Sequence, residues 1–155
     1  FLARAPRRIS SSWIFLVLTM RVCIVVPMHN EAAIAATSIA TILSYTEKLP
    51  ATVVLIVDDG STDDTAAVVE SAVAHDTSRQ LHLLRHDHNR GYGAALRTGL
   101  FSAKGDLIFY TDSDNQFDIN EIMALMPFID DFDMVIGYRR DRKDFFIRKF
   151  SSRLY

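Results

Sequence analysis

Two aspartates separated by one residue are the first candidates for chemistry. Asp112 and Asp114 flank Ser113, directly after an apolar stretch at 107–111. In an extended backbone, residues i and i+2 point to the same side, so both carboxylates face one point. Because two close carboxylates repel each other, the pattern favours a hard divalent cation completed by phosphate oxygens and water. Gln116 adds a neutral oxygen ligand within reach. The alternative for this triplet alone is a solvated acidic turn.

A second acidic pair, Asp58 and Asp59, follows another apolar stretch and precedes Gly60 and Ser61. Glycine permits a sharp turn there, and the serine is predicted to cap the following helix. A carboxylate at the end of a strand can accept hydrogen bonds from a nucleotide base or ribose. Stabilisation of the next helix dipole is the competing interpretation.

Two further loops carry polar residues of interest. The segment NRGYG at 89–93 precedes a predicted helix and suits a phosphate or a tight turn. It lacks the third glycine of a dinucleotide-binding fingerprint, and the loop at 28–31 has no glycine, so a Rossmann dehydrogenase is excluded. His86, Asp87 and His88 resemble a metal pair, but neighbouring side chains diverge and no third ligand is near. We predict a solvated loop there.

These polar segments follow predicted strands that alternate with predicted helices. The predicted strands cover residues 22–27, 52–57, 81–84, 107–111 and 134–137. The predicted helices cover residues 30–49, 61–75, 93–103 and 119–129, the second beginning with a capping-box-like Ser61 and Asp64. The alternation predicts βαβ units and an α/β fold with a mainly parallel sheet. In such sheets the ligand lies at the carboxyl ends of the strands, where these loops are.

The composition limits the class of protein that the chain can be. The chain has 155 residues, of which 49% are hydrophobic and 23% charged, as in one soluble globular domain. The net charge of −2 gives no sign of nucleic acid binding, although residues 139–155 hold seven Lys or Arg against two Asp. The single cysteine, Cys23, excludes a disulfide framework and a Cys-rich zinc site, and it fits a reducing compartment.

The two ends of the chain are distinct from its body. We expect residues 1–19, with their arginines and short apolar run, to be an upstream extension, and the domain to cover residues 20–155. Residues 145–155 place three apolar side chains on one helical face with three cations around it. That segment either lies on an anionic membrane surface or packs as an ordinary helix.

Four segments occur in a characteristic order: VVPMHNE at 25–31, VDDGSTD at 57–63, NRGYG at 89–93 and TDSDNQ at 111–116. Together they resemble the family 2 glycosyltransferases of GT-A fold. Within the family, Gly137-Tyr138-Arg139 and Arg148 with Ser152-Arg153 are similar to the dolichyl- and polyprenyl-phosphate sugar synthases. The resemblance implies a Rossmann-like three-layer sandwich with a mainly parallel sheet.

The resemblance also implies a role for each matching residue. Pro27, His29 and Glu31 match the loop that holds the base and ribose, where the family usually has tyrosine in place of His29. Asp58 and Asp59 match the acidic pair that reads the base and ribose.

Asp112 matches the first aspartate of the D-x-D pair, near the ribose and diphosphate. Asp114 and Gln116 match the metal ligands, and we expect Asp112 to bind the metal with them. Asp112 and Asp114 are the expected catalytic residues. Ser113, between the aspartates, replaces a residue that is often alanine, and we expect it to contact the nucleotide. Arg139 matches a basic residue near the donor phosphates.

The implied protein is an inverting, Mg²⁺- or Mn²⁺-dependent transferase that moves a sugar from a UDP- or GDP-sugar to a polyprenyl or dolichyl phosphate. The alternatives are transfer to a saccharide hydroxyl and a non-catalytic nucleotide-sugar-binding module. In a receiver domain, which is another alternative, an acidic pair follows the first strand. The loop after the first predicted strand of this chain, MHNE at 28–31, has no such pair. We expect a location at the cytoplasmic face of a membrane. We also expect a domain truncated on its acceptor side, because the family continues beyond the position of Tyr155.

Overall fold

The computed structural model describes residues 20–46, 52–114, 122–129 and 131–137. Four strands form one parallel sheet in the order β3-β2-β1-β4. The strands are β1 (Val22–Met28), β2 (Thr52–Asp58), β3 (Leu81–Arg85) and β4 (Leu107–Tyr110). The helices are α1 (Ala32–Thr46), α2 (Thr65–His75), α3 (Tyr92–Ser102) and α4 (Ile122–Leu125). A 3₁₀ turn, Met126–Phe128, follows α4.

The central strands β1 and β2 are covered on both faces, as their sequences predict. Every residue of β1 is buried, which matches its continuous apolar run. Successive side chains alternate between two cores: Ile24 and Val26 pack in the core of α1 and α2, whereas Cys23 and Val25 pack in the core of α3. The α/β architecture with a parallel sheet is therefore confirmed.

The parallel direction of the strands brings the loops that follow them to one edge of the sheet. Parallel β1 pairs with β2 from Val22↔Thr52 to Met28↔Asp58, and with β4 from Val22↔Leu107 to Val25↔Tyr110. Because these strands are parallel, the segments after β1, β2, β3 and β4 all leave the sheet at the same edge. The described part of the chain contains no helix long and apolar enough to cross a membrane.

Near the end of the described chain, one prediction is wrong and another is met only in part. The strand expected at 134–137 is not formed, and Met134 and Ile136 remain exposed. A strand needs a partner for its backbone, and the described residues supply none for this segment. In the helix expected at 119–129, the described part has one α-turn and then a 3₁₀ turn around Pro127. Proline cannot donate the i→i−4 hydrogen bond of an α-helix.

The predicted start of α2 is also wrong. The helix begins at Thr65, and Ser61 donates its hydroxyl to Asp58 instead of capping the helix. Asp64 occupies the N-cap position without a side-chain cap hydrogen bond, whereas Asp63 accepts the Thr65 N–H at 3.0 Å. The capping-box pattern failed because the Ser61 hydroxyl oxygen, which would accept a helix N–H as a cap, instead accepts the Asn30 N–H at 2.9 Å.

Candidate functional site

An open cleft of about 410 Å³ lies at the carboxyl ends of the strands. Its walls come from the ends of β1 and β2, the loops after β3 and β4, and the first turn of α3. The volume lies within the usual range of small-molecule sites. This is the position that the parallel-sheet rule predicts for a ligand.

Most of the predicted site residues meet in this cleft. Those that line it are Pro27, His29, Glu31, Asp59, Asp112, Ser113 and Asp114. Asp58 is fully buried and does not line the cleft. Gln116 and Arg139 lie outside the described residues, as do residues 1–19 and 145–155.

The loop after β1 is held by side chains from the loop after β2. Asn30 has a φ of 53°, and its Oδ1 accepts the Thr62 N–H at 2.8 Å. Glu31 N–H donates to Thr65 Oγ1 at 2.8 Å, and Ala32 N–H donates to Asp63 Oδ2 at 3.1 Å. These bonds satisfy backbone donors at the start of α1, so the STD segment at 61–63 with Thr65 serves to position the β1 loop.

Gly60 lets the loops after β2 and β3 approach each other. Its φ is 63°, and a Cβ at this position would lie 2.2 Å from the carbonyl carbon of His88. Only glycine satisfies both the backbone angle and the spacing. The predicted sharp turn is therefore present, and it brings the loop that contains Asn89 beside the β1 loop.

His29 lies between two asparagine side chains. Its Nε2 is 2.8 Å from Asn89 Nδ2 and 3.2 Å from Asn30 Nδ2. Because an amide NH₂ only donates, Nε2 accepts and the ring hydrogen lies on Nδ1. Nδ1 is buried without a hydrogen-bond partner. The arrangement fixes the imidazole ring in the cleft wall; Asn89 was not predicted as a site residue.

Glu31 and Ser113 join the loops after β1 and β4. Ser113 donates its hydroxyl to Glu31 Oε2, and the Ser113 carbonyl accepts the hydroxyl of buried Ser38 on α1. Burial raises the pKa of Glu31, and the nearby carboxylates of Asp114 and Asp112 add to that rise. The Ser113 hydrogen bond acts in the opposite direction. Three carboxyl groups therefore lie close enough to interact electrostatically at this side of the cleft.

Asp112 accepts a hydrogen bond from Tyr92 Oη at 2.9 Å. Burial, this hydrogen bond and the negative charge of Asp112 together raise the pKa of Tyr92 to about 12. The tyrosine ring is 54% exposed and lines the cleft. Tyr92 was not predicted as a site residue, although it lies in the NRGYG segment. That segment alone could not predict its interaction with Asp112, twenty positions later.

Asp58 stands behind the cleft wall. Its Oδ1 accepts the hydroxyl of Ser61 and, at 3.3 Å, the Ser61 N–H. Its Oδ2 is 3.2 Å from Arg85 Nε on β3, an ion pair that lacks hydrogen-bond geometry. These contacts give Asp58 a role in holding the turn at Gly60.

Asp59 is nearly buried yet reaches the cleft. Its Oδ1 lies 2.6 Å from His86 Nδ1 and accepts the Arg90 N–H at 3.0 Å. His86 is also buried, so the prediction of a solvated loop at 86–88 is wrong for this residue, although Asp87 and His88 are exposed. The error has a physical cause: the Asp59 carboxylate supplies the partner that makes burial of a histidine favourable.

The exposed carboxylates of Asp112 and Asp114 are the residues that could hold a metal ion. Among the described residues there is no group of three or more His, Cys, Asp or Glu side chains arranged as a metal site. Two aspartates therefore fit a hard ion such as Mg²⁺, which takes one or two carboxylates and completes its shell with phosphate and water. They do not fit a structural zinc ion.

Comparison with known proteins identifies the family. Residues 23–154 match Glycosyl transferase family 2. The chain belongs to this family. It is 35% identical over 138 residues to the undecaprenyl-phosphate 4-deoxy-4-formamido-L-arabinose transferase of Sodalis glossinidius, with 86% of this chain and 41% of that protein covered. It is 30% identical over 143 residues to the dodecaprenyl-phosphate galacturonate synthase of Rhizobium johnstonii, with 88% and 41% covered. The resemblance to the polyprenyl-phosphate branch is thus confirmed.

Solved structures agree on the fold. A mannosyltransferase of Pyrobaculum calidifontis, in complex with GDP-Man and Mn²⁺, is 29% identical with a TM-score of 0.59, covering 68% of this chain and 30% of that one. TarS residues 1–349 of S. aureus, in complex with UDP-GlcNAc, is 25% identical with a TM-score of 0.57, covering 72% and 32%. The predicted GT-A fold is confirmed. The chain spans about two fifths of the length of the curated relatives it matches.

Proposed function

We propose that this chain forms the donor-binding part of an inverting, metal-dependent glycosyltransferase that transfers a sugar from a nucleotide sugar to a polyprenyl phosphate. The observation that carries the proposal is the convergence of His29, Asp59, Asp112 and Asp114 on one cleft. The names of the similar proteins support it, because they combine a polyprenyl phosphate with a sugar.

In this proposal each part of the cleft has a distinct task. The His29 ring and Asp59 bind the base and ribose of a UDP- or GDP-sugar. Asp112 and Asp114, with Gln116 as a further predicted ligand, hold Mg²⁺ or Mn²⁺, which stabilises negative charge on the leaving diphosphate when bound. Glu31 and Ser113 fix the spacing between the two ends of the donor site, and Arg139 is a predicted contact of the phosphates.

The acceptor determines whether the reaction needs a general base. A lipid phosphate is already anionic near neutral pH and attacks the sugar without losing a proton to the protein. A saccharide hydroxyl requires a positioned base. The polyprenyl phosphates named in the relatives support the first acceptor class. The proposal also places the enzyme at the cytoplasmic face of a membrane.

Replacement of Asp114 by asparagine tests the donor site. Asp114→Asn should weaken Mn²⁺-dependent binding of UDP or GDP by tenfold or more, about 1.4 kcal/mol, because it removes a charge from the metal ligands. Isothermal titration calorimetry with and without Mn²⁺ measures the loss. Asp87→Asn, at an exposed aspartate that does not line the cleft, is the matched control and should bind as the wild type does.

The same titrations decide the donor-site part of the proposal. Binding of one nucleotide that strengthens with Mn²⁺ supports it. Failure of wild-type protein to bind either UDP or GDP with Mn²⁺ present would reject the donor site.

A further inference from the structure

His86 connects three elements around the donor cleft through a fully paired, buried side chain. Its Nδ1 is 2.6 Å from Asp59 Oδ1, at the end of β2. Its Nε2 is 2.9 Å from Thr98 Oγ1, on α3. Its backbone N–H also donates to the Asp58 carbonyl at 2.9 Å. The side chain is 6% exposed, so solvent does not compete for these bonds.

The chemistry of the groups determines which atom donates in each hydrogen bond of the His86 side chain. An ionised carboxylate only accepts, so His86 Nδ1 carries the hydrogen and donates to Asp59. The Thr98 hydroxyl either donates to or accepts from Nε2, so it remains paired whether or not the imidazole is charged. Asp59 Oδ1 therefore keeps its donor in both states of the histidine.

The environment of Asp59 shows the consequence. Burial acts to raise the pKa of Asp59, but the hydrogen bonds from His86 and from the Arg90 and Gly91 backbones outweigh it and lower the pKa. A nearly buried carboxylate is thus kept ionised and held in one orientation where it reaches the cleft.

We propose that His86 is a positioning residue of the donor site, which orients the Asp59 carboxylate toward the nucleotide and links that orientation to helix α3 through Thr98. The inference rests on the proposed function, because it takes the cleft as the nucleotide site. A carboxylate, an imidazole and a hydroxyl in this order also form the triad of acyl-transfer enzymes. Here the hydroxyl lies within α3 and does not line the cleft, so the arrangement orients Asp59 instead of attacking a substrate.

Two polar substitutions each retain one of the two side-chain hydrogen bonds of His86 and remove the other. In His86→Asn, the side-chain amide takes the place of Nδ1 and retains donation to Asp59. In His86→Gln, the longer amide takes the place of Nε2 and retains the contact with Thr98 while losing Asp59. We expect His86→Gln to weaken binding of UDP or GDP, whichever the wild type binds with Mn²⁺, at least fivefold. His86→Asn should remain within about twofold of the wild type.

The matched control is His82→Gln, at an exposed histidine of β3, which should bind as the wild type does. Urea unfolding of all variants measures stability separately from affinity. Equal affinities of the Asn and Gln variants, or weaker binding by His86→Asn than by His86→Gln, would overturn the positioning role.

A second measurement needs no nucleotide. Carbon-13 NMR titration of the Asp59 carboxyl should show a higher pKa in His86→Gln than in His86→Asn, because only the former has lost the donor to Asp59. If wild-type protein binds neither nucleotide, the proposed function fails, and this titration still decides whether His86 controls Asp59. An unchanged Asp59 pKa in both variants would overturn the inference by itself.

Discussion

At the scale of single residues, the cleft depends on side chains that hold one another in place. His29 is fixed by Asn30 and Asn89, and Glu31 is fixed by Ser113. The His29–Asn89 and Glu31–Ser113 interactions join loops that follow different strands, so the shape of the cleft does not depend on any one loop. Such mutual support lets a ligand bind without first ordering these side chains.

His29→Ala should weaken nucleotide binding about fivefold, about 1 kcal/mol, to the same extent with and without Mn²⁺. Contact between an aromatic ring and a base does not involve the ion, so the loss is independent of metal. Calorimetric titration of the variant beside His82→Ala measures it. A loss confined to the samples with Mn²⁺ would place His29 with the phosphates and contradict its role at the base.

At the scale of elements, helix α3 lies unusually close to the sheet because of Gly99. A Cβ at that position would lie 2.3 Å from Val25 Cγ1 and 3.1 Å from Val57 Cγ2. The approach brings the start of α3, with Tyr92, to the cleft and Thr98 to His86. The packing of one helix therefore affects both sides of the donor site.

Gly99→Ala should destabilise the protein by about 1 kcal/mol. The added methyl group costs about 1–3 kcal/mol by overpacking against β1 and β2. Alanine's higher helix propensity offsets about 1 kcal/mol of that cost. Gly93→Ala is the control on the same helix: no atom lies within 4 Å of its added Cβ, so it should not destabilise. Urea unfolding measures both, and equal stability of the two variants would refute the close-packing argument.

At the scale of the whole molecule, charge is distributed unevenly along the chain. Residues 139–155 carry seven Lys or Arg against two Asp, whereas the net charge of the whole chain is −2. A concentrated basic segment is attracted to anionic lipid. This prediction concerns residues outside the described structure and is based on their sequence.

Removal of residues 145–155 should reduce co-sedimentation of the protein with anionic vesicles. Each of the three cations in that segment contributes about 1 kcal/mol near such a surface, and salt screens the attraction within a Debye length. Added salt should therefore reduce binding of the intact chain, and neutral vesicles should retain little of it. Equal sedimentation with and without the segment would show that it does not bind membranes.

The amino-acid sequence by itself determined the elements and most of the cleft. Continuous β-branched runs predicted β1 and β2, because a strand buried on both faces has no alternating polar positions. Carboxylates directly after the predicted strands indicated Asp59, Asp112 and Asp114 in one place, since all parallel strands end at the same edge.

Only the tertiary structure decided which loops meet and which polar groups are buried. The order β3-β2-β1-β4 places β4 beside β1, and this brings Ser113 to Glu31 across 82 residues of sequence. The same packing buries His86, because Asp59 and Thr98 supply its two partners from different elements. It also left the segment at 134–137 without a strand partner among the described residues. The local sequence pattern indicates which secondary structure a segment favours. It does not indicate a hydrogen-bond partner far along the chain, which is determined only when the sheet forms.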